Sequence, residues 1–111
     1  MRALGLASRE NLVEQIVEYL RESLPRQTRA YGDPEVYAIA RYAIGRAAAY
    51  RIERRIDVYR WVNLMFSHGF KFDTDPKLPW VRAVLDDPSV HPDGIMPWLT
   101  ARAIRDLKKT D

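Results

Sequence analysis

The chain has 111 residues, of which 47% are hydrophobic and 30% charged, with a net charge of +3. This composition excludes a disordered polymer, and the length suits one domain with a modest core that buries roughly two thirds of the unfolded surface. The absence of cysteine removes disulfides and thiolate metal sites and suits a reducing compartment. The opening MRALGLASRENLVEQ has too short an apolar run for a signal peptide, and no window approaches the ~20 apolar residues of a membrane span. A cytoplasmic protein without a membrane partner is expected. The mild positive charge permits an anionic partner without requiring one.

Ser8 is positioned to cap a first helix, with Leu12, Val13, Ile16, Val17, Leu20 and Leu24 at helical spacing and Pro25 ending it. The linker PRQTRAYGDP is rich in turn formers, and Asp33 followed by Pro34 signals a helix start. A second helix runs from there to about Arg51. Its inward stripe is Val36, Ala40, Ala43, Ala47 and Tyr50, and Gly45 with Ala47, Ala48 and Ala49 offers a site of close helix approach. Residues 51–55 are ambiguous between a break and one long bent helix.

Ile56, Val58, Tyr59, Val62, Leu64, Met65 and Phe66 mark a third helix that is apolar around much of its circumference, so it belongs at the centre of the bundle. Gly69 is its natural stop. A short loop follows, and Pro79 can open a short helix whose Trp80, Val81, Val84 and Leu85 face inward. Pro88, Pro92 and Gly94 break the chain again, and a last helix runs from about Asp93 or Ile95 to Lys108. It is expected to bury Met96, Leu99, Ala103, Ile104 and Leu107, with Lys108 and Lys109 complementing its dipole. No stretch alternates with a period of two. The pattern predicts an all-α, compact bundle of four to five helices in a single domain.

The loop acids Asp73 and Asp75 are the obvious metal candidates. Pro76 and Lys77 stand where a calcium loop would continue its ligands, and turn or cap bonding explains the acids more simply. His68 and His91 have no histidine at ligand spacing, and no nucleophile elbow or phosphate loop is present. The reading is therefore of no enzyme, no metal and no cofactor. Trp61, Phe66, Phe70, Phe72, Trp80 and Trp98 are read as core filling, and Asp73, Asp75 and Trp80 as the structural elements of the loop.

Arg41, Arg46, Arg51, Arg54, Arg55 and Arg60 cluster across the junction of the second and third helices, against only Glu53 and Asp57. Guanidinium groups pair bidentately with carboxylate or phosphate. Three readings stay open: a solvated helix face, a docking face for an acidic protein, and a nucleic-acid contact.

The string DVYRWVNLMFSHGFKFDTDPKLPWVRAVLDDP adds a further indication. Asp57, Val58, Trp61, Val62, Leu64, Met65, Phe66, Gly69, Phe72, Asp73, Asp75, Pro76, Pro79 and Trp80 follow a pattern of helix start, apolar core, glycine-to-aspartate loop and proline-tryptophan helix start. It resembles small helical proteins encoded among bacterial type VI secretion and polymorphic-toxin effector genes. The chain departs from that pattern at Arg51, where a glycine would be expected, and at Pro97. The resemblance implies a binding role: an adaptor or chaperone for a toxin effector or secretion-spike component, or an immunity protein against a toxin. It carries no catalytic residue over. The rival reading from another class is a small nucleic-acid-binding regulator using the arginine face.

Overall fold

The computed structural model describes the backbone of residues 2–109 and the side chains of residues 9–106. Over them run six α-helices and one 3₁₀ turn: α1 Arg2–Ser23, α2 Pro25–Thr28, α3 Asp33–Ala49, α4 Arg55–His68, the 3₁₀ turn Phe72–Thr74, α5 Pro79–Leu85 and α6 Pro92–Lys109. The all-α class is as the periodicity predicts. The addition is α2, a single turn that Pro25 opens rather than excludes. None of the described helices is long and apolar enough to cross a membrane.

Cross-contacts fix the directions. Glu14 accepts the Tyr37 hydroxyl at 2.7 Å and Arg21 pairs with Asp33 at 2.7 Å, so α1 and α3 are antiparallel. Tyr19 stacks on Tyr59 at 4.3 Å and donates to Asn63, while Arg9 and Leu12 share a groove with Arg55 and Val58, so α4 runs with α1. Arg54 at the start of α4 meets Asp93 at the start of α6. Further along, Trp80 lies between His68 of α4 and Arg102 of α6, so these two helices also run together.

Helix α4 packs on α1, α3, the 3₁₀ turn and α6, which makes it the axis of the molecule. Its Val58, Trp61, Val62 and Met65 are fully enclosed, each side chain contributing about 1.5–3 kcal/mol by leaving water. Trp61 closes against Phe72 with ring centroids 4.7 Å apart, tying the loop to the core. Val13, Ile16 and Leu20 of α1, Val36, Ala40 and Ala43 of α3, and Met96 and Leu99 of α6 complete one continuous core.

The boundary between α3 and α4 is a break. Ile52 donates to the Ala47 carbonyl and Arg51 to that of Ala48, the paired bonds of a Schellman stop, with Arg51 in the left-handed region at φ 64°. Buried Ile52 lies over this end of the helix. Gly69 ends α4 at φ 107°, donating to the Met65 carbonyl, as its position predicts.

Several expectations are corrected. Helix α1 starts at Arg2, so Ser8 lies within it, and that serine's side chain is outside the described residues. At α3 the Gly32 amide donates to Glu35 at 2.7 Å, while the Asp33 carboxylate pairs with Arg21 instead of capping. Gly45 is exposed, and a Cβ there would meet nothing within 4 Å, so it marks no close helix approach. Trp80 and Phe66 only partly enter the core, and Trp80 lies edge-on to His68. Trp98 is 47% and Ile104 50% exposed, because both lie on the outer side of α6. The side chains of Leu107, Lys108 and Lys109 lie outside the described residues.

Candidate protein-docking site

The six arginines separate into two groups. Three are committed to buried carboxylates. Asp57, whose side chain is 2% exposed, accepts from Arg54 Nε at 2.8 Å and from Arg60 Nη1 at 3.0 Å, three residues away on either side. Asp73, 1% exposed, accepts from Arg46 Nε at 3.1 Å, from Arg46 Nη2, and from the Tyr50 hydroxyl at 3.1 Å. A buried carboxylate without such partners would be strongly destabilising, so these arginines hold the fold together. The hydrogen bond to Asp73 raises the Arg46 guanidinium above its ordinary pKa against the opposing effect of burial, and the bond to Asp57 does the same for Arg54. Burial, then the nearby Asp73 charge, raises the Tyr50 phenol.

Arg54 has another task. Pro97 sits inside α6 and has no N–H, so the Asp93 carbonyl four residues earlier loses its helical donor. Arg54 Nη2 donates to that carbonyl at 3.1 Å, and its Nε lies 3.4 Å from the Asp93 carboxylate. The unusual proline and the start of α4 are thus coupled through one guanidinium.

The second group faces solvent. Arg41 reaches Glu10 only at 3.8 Å and lies over the Tyr37 ring. Arg51 and Arg55 are exposed and make no ion pair among the described residues. Arg55 stands on the rim of a groove of about 470 Å³ between α1, α3 and the start of α4. Leu12, Ile44, Ala48, Ile52 and Val58 form its floor, and Arg9, Gln15, Glu53 and Arg55 its edge. A smaller recess of about 110 Å³ extends it past Arg9 toward Arg41. The Schellman stop positions the site: by turning the chain sharply at Arg51 it seats Ile52 in the floor and leaves Arg55 at the mouth.

In the loop, Asp75 accepts the Lys77 amide at 2.9 Å, the turn bond that its position suggested. Asp73 does not cap. It is drawn inward to Arg46 and Tyr50, and its Oδ1, like Trp61 Nε1, is buried without a protein partner. Trp80 lies edge-on to His68 and beneath the Arg102 guanidinium at 5.3 Å. Ser67 Oγ and His68 Nδ1 are 2.8 Å apart, but they are sequence neighbours on the surface and line none of the described grooves. Among the described residues no three His, Asp or Glu side chains converge as a metal would require.

Sequence reasoning missed the contribution of α1, whose Arg9, Leu12 and Gln15 wall the groove. Nothing local announces it, since Leu12 reads equally well as a core position. No protein-family model, curated protein or solved structure matches this chain.

Proposed function

We propose that the chain is a non-catalytic protein-binding module, an adaptor or chaperone for a secreted bacterial toxin effector or an immunity protein against one. Its partner presents an acidic, amphipathic segment to the groove between α1, α3 and α4. The observation that carries the binding reading is the groove itself: a space of about 470 Å³ with an apolar floor, beside Arg9 and beside Arg55, which makes no ion pair among the described residues. That volume accepts a few partner side chains, and guanidinium groups at the edge of an apolar contact are frequent hot spots. The choice of a toxin effector or secretion-spike component as partner rests on the resemblance carried by residues 57–88.

The test is co-expression with the proteins encoded beside this chain, among which the proposal expects a toxin effector, followed by affinity purification. A complex should survive purification, and Arg9→Glu with Arg55→Glu should weaken it at least about tenfold while the melting temperature stays unchanged. Retention of nucleic acid that falls steeply with salt, with no co-purifying effector, would overturn the proposal in favour of a nucleic-acid binder.

A further inference from the structure

We infer that the outer face of α6 is a self-association surface on which a second copy of this chain docks, antiparallel and about a two-fold axis. At about 100° per residue, Gly94, Pro97, Trp98, Ala101, Ile104 and Arg105 fall within one arc of about 120°, and every one of them is exposed. The opposite arc, with Ile95, Met96, Leu99 and Ala103, is buried against the core. Among the described residues the helix therefore carries apolar side chains on two opposite faces, of which the inner one is covered. An apolar stripe of this width on a surface helix ordinarily faces a protein interior. Among the described residues helix α6 packs mainly on α4 and α5, so its outer side is the edge of the bundle.

The order of charge along this helix selects the occupant. Asp93 flanks the face near its N-terminal end, with its carboxylate 56% exposed despite the contact to Arg54, and Arg105 lies at the other end. A second α6 laid antiparallel brings each acidic end toward the other's basic end and opposes the two helix dipoles. A parallel copy would set like ends together. The small residues Gly94 and Ala101 let the backbones approach, and Trp98 and Ile104 supply the apolar area on either flank. The face extends over about 18 Å of helix, which gives an interface at the small end of the range for specific complexes. The dimer is accordingly weak and reversible, with a dissociation constant in the micromolar range.

Sedimentation equilibrium of the full chain, from low micromolar to submillimolar concentration, tests this. The expected result is a monomer–dimer equilibrium with no larger species. Ile104→Glu and Trp98→Ala should each raise the dissociation constant at least about tenfold, and Arg105→Glu should raise it less. Both apolar positions are solvent-facing, so an unchanged circular dichroism spectrum and melting temperature of the monomer should confirm intact folding. The groove variant Arg55→Glu should leave the dimer unaffected, which separates this inference from the effector-binding reading. A monomer at every concentration, growth beyond the dimer, or a dimer indifferent to Ile104→Glu and Trp98→Ala would each overturn it.

Discussion

Replacing Arg54 with alanine removes its bond to buried Asp57, its bond to the Asp93 carbonyl and a 3.4 Å contact with the exposed Asp93 carboxylate, of which the first two carry the energy. The bond to buried Asp57 is charge-assisted, and such bonds are worth about 1.5–3 kcal/mol. Half-exposure of Arg54 argues for the lower end, and Arg60 remains to hold the other carboxylate oxygen. The bond to the Asp93 carbonyl adds about 0.5–1 kcal/mol, because water replaces it only in part. The total loss is then about 2–3 kcal/mol, a shift in melting temperature on the order of 10–15 °C for a domain of this size. The diagnostic step is a double-mutant cycle with Pro97→Ala. An alanine restores the N–H that the Asp93 carbonyl lacks, so Arg54→Ala should cost about 0.5–1 kcal/mol less in that background than in the wild type. Urea unfolding followed by far-ultraviolet circular dichroism, at concentrations where the chain is monomeric, gives all four corners. Strict additivity of the two substitutions would refute the argument that Arg54 stands in for the missing helical donor. A cost for Arg54→Ala below about 1 kcal/mol would refute its role as partner of Asp57.

Two further outcomes follow from the same geometry. Arg51→Gly should stabilise the protein by about 1 kcal/mol, because an L-residue in the left-handed region carries a cost that glycine avoids; an equal or lower urea midpoint would contradict the Schellman stop. The raised Tyr50 phenol favours the protonated form in the folded state. Its contribution to stability is therefore complete below the unfolded value of about 10 and is lost as pH climbs through the higher folded value. Tyr50→Phe should flatten the alkaline fall in urea midpoint, and an unchanged profile would show that another group causes it.

The parts of the fold that were legible in the sequence are those fixed by local chemistry. The breadth of the apolar surface on α4 announced a central helix, and Gly69 announced its stop. The Arg54–Asp57–Arg60 spacing of three residues places both cations beside one carboxylate within a helix start, so that triad could have been found from periodicity alone. The Arg46–Asp73 pair could not, because it joins positions twenty-seven residues apart across a loop whose path depends on Trp61 and Phe72. The end of α3 was legible near Arg51, but a break could not be told from a bend there, since arginine gives none of the signal that glycine would. Helix α6 misled for a different reason. With apolar residues on two opposite faces, periodicity gives no means of choosing the buried one, and Ile104 and Trp98 were assigned to the wrong side.

That division also bears on function. A cluster of arginines in a sequence suggests a single cationic surface, but charge already spent on a buried carboxylate adds little to the field a partner meets. Arg46, Arg54 and Arg60 are spent in this way, so under the proposed reading the cations left uncommitted for a partner are Arg41, Arg51 and Arg55, joined by Arg9 from the neighbouring helix. Arg9 and Arg55 lie beside the apolar floor and Arg41 beside its smaller extension, and Glu10 and Glu53 interrupt them. A nucleic-acid backbone is recognised best by an unbroken cationic track, and phosphates gain nothing from Leu12 or Ile52. A protein segment that carries both a carboxylate and an apolar side chain would use the two halves of the groove together. Under the proposed reading, the turn at Arg51 that seats Ile52 in the groove therefore favours a protein segment over a nucleic-acid backbone.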